Sequence, residues 1–221
     1  MLNLIVIVIL SYLVGSIPTS IIVSKLVKGI DIRNHGSGNA GGSNVFRILG
    51  WKYGLAVIFL DALKGMIAVL LVSRLYFGSF PFPNATPFDD FTLVQIIAGI
   101  FAVLGHIWTI FAGFKGGKGI ATGLGFLVSV VTIDMLLGLV VFTIVVGVSK
   151  YISLGSLSAA ISVPLIMIIR ENIFGVDIIG YHTILPFTIF LAFLVMYTHK
   201  ANLERIFSGN ESKISLSKKK K

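Results

Sequence analysis

Residues 2 to 24, 53 to 76 and 91 to 112 are dominated by apolar side chains, and each stretch is bounded by charge, glycine or proline. Each is long enough to cross the roughly 30 Å hydrocarbon core of a bilayer as an α-helix. Inside hydrocarbon a segment must satisfy its own backbone hydrogen bonds, so runs of this length confine the chain to a bundle of spanning helices. Residues 119 to 149 form a longer run that reads as two short helices, parted at Thr132, Ile133 and Asp134. Residues 151 to 171 and 181 to 199 complete the set. The expected fold is an all-α polytopic membrane protein with seven transmembrane helices, six being the alternative count. The first segment, MLNLIVIVILSYLVG, lacks the basic start of a secretory signal and reads as a retained helix. One membrane-embedded domain is expected over residues 1 to 213, followed by a basic tail at 214 to 221.

Charge orients these spans. The net charge of +9 could suggest a nucleic-acid partner, but with seven spans the basic residues separate to one side. Lys25, Lys28, Arg33, Arg47, Lys52, Lys115, Lys118, Lys150, Lys200, Arg205 and Lys213 share one face with the lysine tail. Asp89, Asp90, Asp134, Glu171 and Asp177 lie on the other, with Arg74 and Arg170 as their basic company. Basic loops mark the cytoplasm, which places the N-terminus outside and the C-terminus inside. No nucleic-acid partner is then needed to explain the charge. Cysteine is absent, which excludes thiolate nucleophiles, disulfides and cysteine-bound metals.

Every unusual polar stretch converges on the cytoplasmic face. In GSGNAGGSNVFR, residues 36 to 47, glycines at 36, 38, 41 and 42 allow close backbone approach to a ligand. Ser37, Asn39, Ser43 and Asn44 add neutral donors, and Arg47 offers a planar fork suited to phosphate. The spelling G-x-G-x-x-G at 36 to 41 is not a dinucleotide fingerprint, because its neighbours are transmembrane helices and not a βαβ unit. In the second stretch, FKGGKG, Lys115 and Lys118 flank Gly116 and Gly117 at a helix entry, where amides, dipole and ammonium groups can meet one anion. A basic loop obeying the positive-inside rule would explain either lysine alone. Two such loops on one face fit a site for two phosphates better.

Other pieces say less singly. Asp61 and Lys64, at i and i+3 within a span, are expected to pair as structure, since a lone intramembrane charge is expensive. His106, near a span end, serves helix packing as readily as chemistry. Ser156 lies in SLGSLS, where capping and phosphate contact are both open. His199, Asn202 and Arg205 step by three and share a helical arc. The acids are scattered and mostly on the outer face, so no metal site and no cofactor is expected.

These motifs together resemble a known family. GSGNAGGSNVFR, the pattern GHxxxxFxxFKGGKGxAT and HxxNxxRxxxGxExK, here His199 to Lys213, look like the three cytoplasmic motifs of the bacterial acyl-phosphate:glycerol-3-phosphate acyltransferases. Ala40 and Thr109 stand where the family usually has proline, and Ser43 where it has threonine. The resemblance implies a multi-pass enzyme of the plasma (inner) membrane with its active site on the cytoplasmic face. It implies transfer of a fatty acyl group from acyl phosphate to the sn-1 hydroxyl of glycerol 3-phosphate, giving lysophosphatidic acid and phosphate. Membrane lipid and a soluble enzyme supplying acyl phosphate are its implied partners.

On that footing Ser37, Asn44, Arg47 and Lys115 are expected to hold glycerol 3-phosphate, helped by His199 and Asn202. Ser37, Arg47, Lys115, His199 and Asn202 are the expected catalytic set. Gly116 and Gly117 through their amides, with Lys118, Ser43 and Ser156, are expected to hold acyl phosphate. Gly38, Asn39 and Arg205 complete the substrate-binding set. No triad and no acid close to either histidine in sequence is evident, so neither a covalent acyl-enzyme nor an obligatory strong base is expected. The proton acceptor stays open between the acyl phosphate itself and His106 or His199. A transporter of a phosphorylated anion is the rival class, although it would place its site near the bilayer midplane, often within inverted repeats. A lipid-binding subunit without activity would leave the glycine loops unexplained.

Overall fold

The computed structural model describes residues 2–78, 80, 82–178 and 180–213, so the basic tail at 214–221 lies outside the described residues. Every regular element among them is helical: α1 (Leu2–Ser16), α2 (Thr19–Lys28), α3 (Gly42–Leu49), α4 (Trp51–Leu70), α5 (Asp90–Ile107), α6 (Ile120–Val130), α7 (Thr132–Ser149), α8 (Ile152–Asn172), α9 (Tyr181–Thr198) and α10 (Lys200–Phe207). Six segments among the described residues have the length and apolarity to cross a membrane: Asn3–Lys28, Trp51–Leu75, Asp90–Ala112, Thr132–Ser149, Ile152–Asn172 and Tyr181–Thr198. The long apolar run does part at Thr132, as its polar triplet suggests. Its first piece, α6, has only 11 residues, about 16 Å of helix, and falls short of a full span by itself.

The chain packs as two compact units, Met1–Thr132 and Ile133–Lys221. In the first, small residues bring helix backbones together. A Cβ added at Gly15 would overlap the Ala102 carbonyl, and one at Gly105 the Tyr12 carbonyl, so α1 and α5 touch main chain to main chain. Gly65 of α4 and Gly125 of α6 meet the carbonyls of Thr122 and Ala62 in the same way. Such contacts suit a hydrocarbon solvent, where apolar side chains gain little by leaving lipid. Gly125→Val should therefore overpack a contact that only backbone movement could relieve, costing about 1–3 kcal/mol and lowering the unfolding temperature in detergent.

The first span is broken. Pro18 cannot donate to a helical ladder, and α1 ends at Ser16 before α2 begins at Thr19. Carbonyls freed near the break find other donors. Thr109 Oγ1 donates to the Ser16 carbonyl, and Lys64 Nζ to that of Ile17 at 3.0 Å. Ser16 Oγ in turn donates to the Gly105 carbonyl at 3.2 Å. Thr109 thus supplies at a usual proline position a hydroxyl bond that proline has no group to make. At the start of α5, Asp89 caps the helix, and its bond from the Thr92 amide holds the carboxyl below the usual carboxylate range.

In the second unit α8 packs along α9. Arg170, near the end of α8, pairs with Asp134 in the first turn of α7 at 2.8 Å. Asn172 donates to the Tyr181 hydroxyl at 2.9 Å, and Glu171 accepts from the Ile178 amide at 2.8 Å. Of the acidic residues expected on one face, Asp134 is thereby tied to α8 and Glu171 to the segment that follows its own helix.

Candidate active site

The first glycine loop is built around Asn44, which is 1% exposed in the first turn of α3. Its Nδ2 donates to the carbonyls of Ile32, His35 and Asn39 at 3.1, 2.9 and 3.1 Å. Its Oδ1 accepts from the Ser37 amide at 2.9 Å. One side chain therefore pins both ends of the turn. Gly36 has φ +60°, and a Cβ there would overlap Asn44 Oδ1, so the loop needs glycine at this point on two counts. Asn44, expected to meet substrate, is spent on shaping the loop. Ser37, Asn39, Ser43 and Arg47 remain partly accessible on it, and Gly38 is exposed.

A second clamp was not anticipated from sequence. Arg33 forks onto Asp31, with Nη2 at 2.7 Å from Oδ2, and its Nη1 donates to the Ala112 carbonyl at 2.8 Å. One arginine thus ties the first loop to the approach of the second. The Arg33 guanidinium brings the Asp31 carboxyl down to about 2, so this pair stays charged across the physiological range.

The second loop folds back onto α5. The Gly116 amide donates to the Ile107 carbonyl at 3.0 Å and the Gly117 amide to that of His106 at 3.1 Å. These are the two amides expected to hold acyl phosphate. The structure instead uses them to dock the loop, because the last carbonyls of α5 have no partner within the helix. The role left to the glycines is to let the loop lie flat. Lys115 is exposed and Lys118 partly exposed on either side of them.

Beside this loop lies a buried polar cluster. Asp61 and Lys64 pair as their spacing suggests, Nζ to Oδ1 at 2.9 Å. They are joined by Thr19, whose hydroxyl donates to the same oxygen at 2.5 Å, and by His106, whose Nδ1 lies 3.5 Å from it. The acid absent from the neighbourhood of His106 in sequence arrives from another helix. A pocket of about 190 Å³, counting its open mouth, is lined by Lys64, His106, Thr109, Ala40, Gly116 and Gly117 among others.

The second unit holds its own polar centre. Glu211 is 6% exposed and accepts at Oε1 from Ser153 Oγ at 2.8 Å and from Asn202 Nδ2 at 2.7 Å. Its Oε2 accepts from Arg205 Nε at 2.8 Å. Burial pushes the Glu211 carboxyl up, but these bonds from Arg205, Asn202 and Ser153 outweigh it and hold the group below the usual range. Asn202 and Arg205 do share one site, as their spacing suggests, and its centre is a carboxylate. Ser156, expected to contact phosphate, donates instead to the Ile152 carbonyl at 3.0 Å on its own helix. Ser153, three residues earlier in SLGSLS, is the hydroxyl that reaches Glu211. His199 is buried at the joint of α9 and α10, with Nδ1 2.9 Å from the Val195 carbonyl.

Comparison with known proteins places this geometry. Residues 5–209 match the family described as Glycerol-3-phosphate acyltransferase. The chain belongs to the glycerol-3-phosphate acyltransferase family. A glycerol-3-phosphate acyltransferase of Chlorobaculum tepidum is 44% identical over 99% of this chain and 100% of its own length. One from Chlorobium phaeobacteroides strain BS1 is 45% identical over 97% of each. The crystal structure of PlsY, an integral membrane glycerol 3-phosphate acyltransferase in its glycerol 3-phosphate form, superposes with a TM-score of 0.80 at 36% identity, covering 96% of both chains. Its lysophosphatidic acid form gives 0.77 at 35% identity, over 96% of this chain and 95% of that one. Full-length likeness to an integral membrane protein and six span-length apolar helices among the described residues make this acyltransferase a multi-pass membrane protein.

Proposed function

We propose that the protein transfers a fatty acyl group from acyl phosphate to the sn-1 hydroxyl of glycerol 3-phosphate, releasing lysophosphatidic acid and phosphate for phospholipid synthesis. The observation that carries this reading is the full-length likeness to an acyltransferase solved with glycerol 3-phosphate and with lysophosphatidic acid. Two glycine loops, each bearing cations and docked to one another through Arg33, suit two phosphorylated substrates. In the transfer, the substrate hydroxyl oxygen bonds to the acyl carbon while the bond from that carbon to phosphate oxygen breaks. The proton passes to the departing phosphate, itself a good leaving group.

Ser37, Arg47 and Lys115 are assigned to glycerol 3-phosphate, with Asn44 holding their loop in shape. Lys118 and Ser43 are assigned to acyl phosphate, on a loop that Gly116 and Gly117 shape, and Gly38 and Asn39 leave the backbone of the first loop accessible to ligand. His199 and Asn202 are assigned to substrate positioning, and Arg205 to substrate binding beside Asn202. Residues 1–213 are taken as one functional domain in the plasma membrane, with α6 as the seventh crossing, the N-terminus outside and the active face cytoplasmic. The separation of basic from acidic residues supports that orientation.

The test supplies purified protein in lipidic mesophase with glycerol 3-phosphate and either palmitoyl phosphate or palmitoyl-CoA. Equal yields of phosphate and lysophosphatidic acid, from palmitoyl phosphate only, are expected. Absence of product with both donors from folded protein would overturn the assignment.

A further inference from the structure

We propose that Asp61 is a positioning residue for the glycine loop 113–119, acting through the ring of His106. The inference rests on the acyltransferase reading above. Asp61 is 1% exposed within α4, and its Oδ1 gathers Thr19 from α2, Lys64 from its own helix and His106 from α5. Neutralising an intramembrane lysine would require only the first ion pair, and Lys64 already has a further acceptor in the Ile17 carbonyl at 3.0 Å. The histidine is what gives the cluster a reach beyond itself.

That reach is short and rigid. The two nitrogens of the rigid ring point in different, fixed directions, so a partner at Nδ1 fixes where Nε2 points. Here Nδ1 faces Asp61, and Nε2 lies where a Cβ on Gly117 would sit. The Gly117 amide is bonded to the carbonyl of this same histidine, so ring and loop share one residue's orientation. The Ala40 carbonyl of the first loop lies 2.9 Å from the same added Cβ, leaving the second loop held between ring and first loop. Lys115 precedes Gly116 and Lys118 follows Gly117, so a turn of the ring displaces both cations. A misplacement of about 1 Å at a phosphate cation is enough to weaken substrate binding substantially.

The test removes the acceptor without stranding a charge. In Asp61→Leu/Lys64→Met both ions are replaced by apolar side chains of similar size, a change that is often neutral for folding. His106→Gln, which leaves the Asp61–Lys64 pair intact, is the second variant. Each is compared with wild type for unfolding temperature, for kcat, and for KM toward glycerol 3-phosphate and palmitoyl phosphate separately. Labelling of Lys115 by an amine-reactive probe is followed by mass spectrometry, a readout that needs no turnover. Expected are KM values raised about tenfold for both glycerol 3-phosphate and palmitoyl phosphate, whose phosphates are assigned to Lys115 and Lys118, with kcat within about threefold and altered Lys115 labelling in both variants. Folded variants with both KM values and the labelling unchanged would overturn the proposal. So would a kcat lost about a hundredfold at constant KM, which would put the ring on the reacting atoms. Wild-type protein that fails to turn over while the variants still change Lys115 labelling would refute the acyltransferase reading and leave the positioning role standing.

Discussion

Replacing Asn44 by aspartate, one amino group exchanged for one oxygen, is expected to reduce kcat/KM about a hundredfold or more. The side chain donates through Nδ2 to three carbonyls and accepts through Oδ1 from the Ser37 amide. Aspartate keeps the acceptor but turns a second oxygen toward the carbonyls of Ile32, His35 and Asn39. Each buried acceptor left facing another costs about 1–3 kcal/mol, more where a charge is involved. The loop must then open, and Ser37 and Arg47 move with it. Asn44→Ala should be the milder change, because it removes the donors without adding repulsion. Steady-state kinetics on the two purified variants decides the matter, and an aspartate variant with wild-type kinetics would show that the loop is held by something else.

The largest loss of stability is expected from Glu211→Ala. That substitution leaves Arg205 without the carboxylate and takes an acceptor from the buried Ser153 hydroxyl and Asn202 amide. Removing one partner of a buried charged network costs about 3–5 kcal/mol, and the lower figure applies here because the Arg205 side chain is 36% exposed. Glu211→Gln should cost less, since its amide oxygen still accepts from Ser153 or Asn202. The carboxylate also predicts a pH response of known sign. Its folded-state titration lies below the unfolded one, so its contribution is complete above the ordinary carboxylate range and is lost as pH falls through the folded value. Unfolding temperature measured from neutral to acidic pH should therefore fall more steeply for wild type than for Glu211→Gln. Parallel curves would exclude Glu211 as the titrating group.

What the sequence disclosed and what it withheld divide along one physical line. Apolar length, the break at Thr132, and the Asp61–Lys64 pair are local, and local spacing is what a one-dimensional string encodes. The lysines and arginine of the two glycine loops were legible for the same reason. The sequence marks Asn44 and the Gly116 and Gly117 amides as ligand groups because donor type is visible in it while the acceptor already satisfied is not. The link from His106 to Asp61 joins two helices, and no periodicity announces it. Glu211 stood within the third motif, four residues before which the helix ends at Phe207. A buried acid just past a helix that carries Asn202 and Arg205 on one face is a signal that charge pairing could have revealed. Ser153 and Ser156 share a helical face, and only the bond to Glu211 separates their roles.

The interruption at Pro18 has a mechanical consequence. As a single rod, the 26 residues Asn3–Lys28 would reach about 39 Å, roughly 9 Å more than the hydrocarbon slab. A continuous helix would have to tilt to absorb that excess, and any swing in bilayer thickness would lever on whatever is fastened to its far end. Divided at Ile17 and Pro18, the segment acts as two shorter struts with a joint whose loose carbonyl is tethered by Lys64. Thickness fluctuations can then be taken up by α1 while α2, and the first glycine loop that follows it, keep their register.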